Sequence, residues 1–417
     1  MSGIALQLAA FFAISFWRRW PGYLALRNRA AEANPPVTAA QRAPEKTRET
    51  AATAWPGFRV LRVERREVED AAQSVCSFYL VPEDGRPLPP FLPGQFLTFR
   101  LDIPVAAGNA EQIVRCYSLS DAPRPDYYRV SIKRVPSPEG STVPPGRSST
   151  YFHDQVAAGS LLQVRAPSGH FHINRSDEPV VLIAGGIGIT PMLSMLNWCL
   201  AEQPGRELWL FYGVRNGREL VMKPHLETLA AAHPNFHLRL CFSAPLPEDM
   251  TGQPHLHRGR VDINLLRLQL PLKPCHFYIC GPTTMLESLV PALDEWGVPD
   301  ARIHFEAFGP SSIKRTQPAT TADATTQTAA AATGIVVTFA KSGKQVPWQH
   351  SANNLLEFAE SHGIPAAHGC RAGSCGTCMT AVSAGEVAYR QQPDFDREPG
   401  TCLLCSCIPK TDVTLEI

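Results

Sequence analysis

The stretch "PVVLIAGGIGITPMLSMLNW" (residues 179–198) decides how the middle of this chain folds. An apolar run, "VVLIA", gives way to Gly185, Gly186 and Gly188 and then to a helical pattern. The spacing predicts a buried strand, a tight turn and a helix, with Thr190 as N-cap and Pro191 at the first helical position. The glycines remove side chains where a pyrophosphate can meet the helix N-terminus. The turn is not a GxGxxG, because Pro191 stands at the third glycine, and a strand-to-helix turn that serves no ligand is the plainer alternative. "CGPTTM" (280–285) repeats the device: the run "FYI" leads into Cys280, Gly281 and Pro282 and then into a helix. With "ELWLFYGV" and "FHLRLCFS" as further strands and "MLSMLNWCLAE" and "PTTMLESLVPALDEW" as helices, residues 177–312 are expected to form an α/β domain on a parallel sheet. Gly186, Gly188, Thr190, Gly281 and Pro282 then line a crevice at its ligand edge, where Cys280 is placed to contact a nicotinamide.

Upstream the rhythm differs. "GFRVLRVERRE", "SVCSFYLVP", "GQFLTFRLDI", "YYRVSIKRV" and "SLLQVRAP" are short β-rich runs bounded by Gly, Pro and Asp. Their spacing predicts an antiparallel barrel over residues 56–176. After a strand in this block comes "RCYSLS" (115–120), a motif that is weak when taken alone. His153, His170 and His172 show no metal spacing and read as structural or polar barrel residues.

Downstream, "TQPATTADATTQTAAAATG" (316–334) contains no bulky apolar residue and reads as a linker, assigned to 313–334. The tail, 335–417, has strands "IVVTFA" and "VTLEI" around the helix "NNLLEFAESHG", which ends on Gly363 as a C-terminal cap. It also holds "HGCRAGSCGTC" (368–378). The spacing Cys370-x4-Cys375-x2-Cys378 with a distant fourth cysteine is that of a plant-type 2Fe-2S site. Thiolates suit such a cluster, and Gly373 and Gly376 allow the backbone to aim N–H groups at the sulfurs. Zinc more commonly uses paired CxxC units, of which this loop has one. "TCLLCSCIP" offers Cys402, Cys405 and Cys407 for the fourth position, and alternation alone does not choose among them.

Composition narrows the remaining classes. Lys and Arg total 39 against 38 Asp and Glu, which gives no basis for a nucleic-acid partner. Six of the twelve cysteines crowd into residues 370–407, unlike the even studding of a secreted disulfide scaffold. That asymmetry predicts a reducing, cytoplasmic setting. "GIALQLAAFFAISFW" (3–17) is short for a membrane span. It reads either as a shallow anchor on the cytoplasmic face, within an N-terminal segment 1–20, or as a disordered or docking tail. A linker is expected over 21–55.

Taken in order, the three motifs of the middle block resemble the ferredoxin-reductase-like flavoproteins, and the tail resembles a plant-type ferredoxin of the β-grasp kind. The resemblance implies a flavin barrel, a nicotinamide domain and a C-terminal ferredoxin, as in the phthalate dioxygenase reductase group; the reductase half is also similar to that of flavohaemoglobins. It implies that Arg115 pairs with the flavin phosphate, Tyr117 packs on the flavin and Ser118 lies near its reactive nitrogen. "PPGRSSTYFHD" (144–154) is similar to the family's phosphate loop, giving Gly146, Ser148 and Ser149. "HFEAFG" (304–309) is similar to the segment that brings Glu306 and Phe308 to the nicotinamide side. The proline-rich stretch "VPSPEGSTVPP" before the phosphate loop is longer than the family pattern. The last ligand of a plant-type ferredoxin lies four residues before a proline, which selects Cys405, ahead of Pro409, to join Cys370, Cys375 and Cys378. The implied cofactors are FAD rather than FMN, the cluster, and NADH with NADPH as the alternative. The implied activity is electron transfer from NADH through flavin and cluster, one electron at a time, to an oxygenase, desaturase or other metalloprotein. A low-turnover redox sensor is the alternative.

Overall fold

The computed structural model describes residues 55–417 except 106–108, 139, 251–254, 309–334, 350–351, 370, 372, 374, 390–392, 394 and 396. The N-terminal apolar run and both expected linkers lie wholly or almost wholly outside these residues. Among the described residues no helix is long and apolar enough to cross a membrane.

The first six strands are β1 (Arg59–Val68), β2 (Val75–Pro82), β3 (Phe96–Pro104), β4 (Ala110–Ser118), β5 (Tyr128–Lys133) and β6 (Leu161–Val164). They form one antiparallel sheet in the order β4-β3-β6-β1-β2-β5. A bridge between Leu119 and Val130 joins the two edges and curls the sheet into a barrel. Leu61, Phe78, Leu97, Phe99 and Val130 fill its interior. Two features differ from the sequence expectation. The residues of "RCYS" lie on β4 itself rather than after a strand, and Arg147–Gln155 form a helix, α1. Phe152 of α1 is fully buried in the barrel core, and His153 Nε2 donates to the Ile132 carbonyl at 2.9 Å.

The next six strands are β7 (Val180–Gly185), β8 (Leu208–Val214), β9 (Phe236–Phe242), β10 (Leu256–Arg258), β11 (His276–Gly281) and β12 (Ile303–Ala307). All run parallel, in the order β10-β9-β8-β7-β11-β12. The connections pass through α2 (Ile189–Glu202), α3 (Lys223–Ala232), α4 (Ile263–Gln269) and α5 (Thr283–Glu295). Side chains of the central strand alternate: Val180, Leu182 and Ala184 feed one core while Val181 and Ile183 feed the other. The chain leaves β7 toward β8 on one side and returns to β11 on the other, so the switch point lies between β7 and β11.

The tail contributes β13 (Val336–Phe339), β14 (Lys344–Pro347), α6 (Leu355–Ser361), β15 (Met379–Ala384), β16 (Val387–Tyr389), β17 (Thr401–Leu403), β18 (Cys407–Pro409) and β19 (Val413–Leu415). The main sheet is mixed, in the order β14-β13-β19-β15-β17, with β13 and β19 parallel. Asn354 caps the start of α6 by accepting from the Glu357 amide at 2.9 Å. Its end is closed by Gly363 at φ +70°, with Ile364 N–H reaching back to the Ala359 carbonyl.

Candidate functional site

On the barrel, β4 and the N-terminus of α1 face one another. Tyr117 Oη and Ser148 Oγ share a hydrogen bond of 2.7 Å, and the Tyr117 ring packs edge-on against Phe99 and Phe152. Burial pushes the Tyr117 phenol up to about 12, so it stays protonated. Gly146 is the N-cap of α1 and no side chain caps the helix, which leaves first-turn amides for an anion. Arg115, two residues before Tyr117 on β4, supplies a cation on the same strand; its Nη1 donates to the Val114 carbonyl at 2.7 Å. A guanidinium and an open helix N-terminus fit an anion such as a phosphate, and an aromatic ring beside them fits a flat ring system. The two serines divide the work: Ser148 faces Tyr117, whereas Ser149 Oγ donates to the Gly146 carbonyl at 2.9 Å and accepts from Val135 N–H at 3.1 Å. Ser118 is buried at the end of β4.

Across the parallel sheet, the glycines after β7 also divide. Gly186 has φ +53° with open space where a Cβ would stand, while a Cβ on Gly188 would come 2.1 Å from the Cys280 carbonyl oxygen. Gly186 thus leaves room for a ligand, and Gly188 lets α2 approach β11. Thr190 is not the N-cap. Gly186–Gly188 wind into one 3-10 turn, Gly188 takes the cap position, and the Thr190 hydroxyl donates to the Ile187 carbonyl at 3.1 Å from the second residue of α2. The turn into α5 comes against the first: a Cβ on Gly185 would lie 2.6 Å from Pro282 Cδ and 3.3 Å from Gly281 Cα. Cys280 pairs in register with Glu306 of β12. Cys280 is fully buried, and burial together with the Glu306 charge drives its thiol well above the ordinary value. Phe308, just past β12, is 44% exposed. At the end of β8, Arg215 is ion-paired to Glu219 at 2.5 Å.

Barrel and parallel sheet are joined by Asp121, which the sequence reading passed over. Its Oδ2 accepts from Tyr127 at 2.7 Å, its Oδ1 from Asn197 of α2 at 2.8 Å, and its carbonyl from Ser194 of α2 at 2.7 Å. Burial opposes ionisation, but Arg129, Tyr127 and Asn197 outweigh it and hold the carboxyl below the usual range.

In the tail, Cys370 lies outside the described residues. Cys378 Sγ and Cys405 Sγ are 3.2 Å apart, and Gly373 N–H donates to Cys405 Sγ at 3.2 Å. Cys375 Sγ lies 3.1 Å from Thr377 Oγ1 on the same loop. Gly373 and Gly376 both have positive φ, +75° and +70°, as a loop folded this tightly requires. A Cβ on Gly376 would stand 2.4 Å from the Phe395 ring. Cys407 instead bonds to Cys402; that hydrogen bond and burial push its thiol far upward. Among the described residues no three His, Cys, Asp or Glu side chains converge as a single ion's ligands would. Soft sulfur donors met by a backbone N–H fit an iron–sulfur cluster.

Residues 182–290 match the oxidoreductase NAD-binding domain family, and residues 337–410 match the 2Fe-2S iron-sulfur cluster binding domain family. The flavohem-like FAD/NAD-binding domain of a nitric oxide dioxygenase from Vibrio cholerae is 31% identical, with TM-score 0.53, and is covered over 100% of its length by 61% of this chain. The chain belongs to the ferredoxin-reductase-like flavoprotein oxidoreductases. This reductase is also similar to phthalate dioxygenase reductase, described as modular for electron transfer from pyridine nucleotides to the 2Fe-2S centre. The identity is 26% and the TM-score 0.51, over 87% of this chain and 98% of that one. A flavohemoprotein of Halalkalibacterium halodurans is 37% identical over 259 residues, which are 62% of this reductase and 61% of that relative. The reductase therefore spans about three fifths of the curated relative it matches. It carries an oxidoreductase NAD-binding domain and a 2Fe-2S domain on one chain.

Proposed function

We propose that the reductase takes a hydride from NADH onto FAD and passes single electrons through a cluster held by Cys370, Cys375, Cys378 and Cys405 to an oxygenase, desaturase-type or other metalloprotein. The observation that carries this reading is the Cys378–Cys405 pair with Gly373 N–H on sulfur, in a domain whose cysteine loop rests on the flavin barrel. When bound, nicotinamide, flavin and cluster supply the redox chemistry, two electrons in and one at a time out. The chain's own residues orient them. Arg115 and the open N-terminus of α1, with its cap Gly146 and first-turn Ser148 and Ser149, hold the flavin phosphate, and Tyr117 packs on the flavin with Ser118 beside it. Gly186, Gly188, Thr190, Gly281 and Pro282 shape the dinucleotide crevice, with Cys280, Glu306 and Phe308 at its nicotinamide end.

NADH is favoured over NADPH because Arg215, one of two arginines after β8 (with Arg218) that could meet a 2′-phosphate, is engaged by Glu219. FAD is favoured over FMN by the Gly-x-x-Ser form of residues 146–149 and by the name of the Vibrio cholerae domain. Residues 3–17 are proposed to rest on the cytoplasmic face of a membrane, which fractionation of a chain lacking residues 1–50 tests.

The deciding experiment is an anaerobic titration followed by visible absorption, run with NADH and with NADPH, with the released flavin identified by chromatography. Bleaching of flavin and iron–sulfur bands with uptake of about three electrons is the expected result. Flavin bleaching with no iron–sulfur absorbance, even after reconstitution, would sink it.

A further inference from the structure

We propose that Arg165 is a positioning residue for electron transfer, seating the cysteine loop of the ferredoxin domain against the flavin barrel. Arg165 directly follows β6, where the strand's alternation turns Val164 into the barrel core and leaves the arginine at its surface. Its Nη1 donates to the carbonyl of Cys375 at 3.2 Å. Its guanidinium carbon lies 4.8 Å from the centroid of the Phe58 ring on the barrel and 5.5 Å from that of the Phe395 ring on the ferredoxin domain. Both fall within cation–π reach. The Nε of the same group is buried without a hydrogen-bond partner, a cost that the two rings and the carbonyl offset.

Two close approaches bracket this contact. A Cβ on Gly369 would come 3.2 Å from Val114 Cβ, so the loop backbone lies on β4 one residue from Arg115. On the other side, Phe395 packs against Gly376, within the cysteine loop. Arg165 thus holds the ligand-bearing loop from the end of β6, which β3 separates from the β4 strand that carries the flavin motif. Only a flat, always-charged group can stack on two rings while donating to a carbonyl; an ammonium keeps the charge and loses the stacking.

This inference rests on the flavin-to-cluster reading above. The step served is the passage of one electron from hydride-reduced flavin to the oxidised cluster; no bond forms or breaks, and no proton moves at Arg165. Electron passage between two centres falls with their separation, so a loop that is no longer seated on the barrel slows it.

The test is anaerobic stopped-flow reduction of the holoenzyme by NADH, with cluster content measured first, on wild type, Arg165→Ala and Arg165→Lys. Expected is flavin reduction at the wild-type rate in all three. Cluster reduction should slow by about tenfold or more in Arg165→Ala and fall between the two in Arg165→Lys. Hydrogen–deuterium exchange of the holoenzyme should show faster amide exchange over residues 369–378 in Arg165→Ala. Cluster reduction at the wild-type rate, or unchanged exchange in that loop, overturns the proposal. If Arg165→Ala loses the cluster, Phe58→Leu removes one ring from the barrel side and leaves the Arg165 bond to the Cys375 carbonyl in place. A wild-type rate of cluster reduction in that variant overturns the proposal equally. A wild-type cluster that NADH never reduces would overturn the electron-transfer reading itself, and this one with it.

Discussion

At the residue scale, three cysteines compete for the fourth sulfur position, and the structure separates them by what each thiol faces. Cys405 meets Cys378 and the Gly373 amide, whereas the buried free thiols of Cys402 and Cys407 face each other. Cys405→Ser is expected to abolish iron–sulfur absorbance, while Cys402→Ser retains it with a lowered melting temperature; visible spectra and iron analysis decide. The glycines of the β7 turn separate in the same way. Gly188→Ala drives a methyl into main chain and should destabilise by about 3 kcal/mol. Gly186→Ala meets open space but holds φ +53°, at a cost of roughly 1–2 kcal/mol. Urea unfolding measures both, and only Gly186→Ala should raise the KM for NADH out of proportion to its loss of stability. The presence of these glycines and of the cysteine spacing is legible in the sequence. Which glycine serves the ligand and which serves β11 is not, because a three-dimensional neighbour decides it. Arg165 and Asp121 carried no sequence signal: a charged residue after a strand ordinarily reads as solvated.

At the element scale, the four long parallel strands could be read from six- or seven-residue stretches, mostly apolar and in β9 alternating with His237 and Arg239, between turn signals. The short ones could not. β10, β16, β17, β18 and β19 are each three residues long, and of these only β19 sits in a run long enough to stand out. Helix α1 was hidden for another reason. "RSSTYFHDQ" is poor in strong helix formers, and it is helical because Phe152 and His153 are anchored in the barrel. A pH effect belongs to the opposite edge of the parallel sheet. His304 at the start of β12 stacks on Tyr278 and lies 3.4 Å from His276, which contacts Glu178. Burial first, then the neighbouring His276 and His172, lower His304 to about 4. The folded chain therefore binds a proton here later than the unfolded chain, whose histidine titrates near 6.5. The contribution is whole above about 6.5 and is lost as pH falls toward about 4. Melting temperature should drop across that window, and His304→Gln should flatten the slope; an unchanged slope counts against this account.

At the scale of the whole molecule, the hydrophobic cores divide where function does. The ferredoxin core draws only on residues 337–415, while Val75 of the barrel packs into the core of the nicotinamide domain. Removing residues 335–417 is expected to leave NADH-to-ferricyanide turnover within about twofold of wild type while all iron–sulfur absorbance disappears. A truncated chain that loses its flavin would show that the tail also supports the barrel. Both domain types could be read from the chain because the rhythm of strands changes near residue 178. The way they are fastened could not, since seams are built from single side chains.

Those seams are unequal. Asp121 ties barrel to α2 through two hydrogen bonds, beside a shared apolar core, whereas among the described residues the cysteine loop meets the barrel at one half-buried guanidinium and the rings around it. The first joint behaves like a weld and the second like a plug and socket. An engineer could graft a foreign one-electron carrier in place of the ferredoxin without retuning the hydride crevice. The design rule would be local: present a carbonyl and an aromatic ring to Arg165, and leave Asp121 untouched.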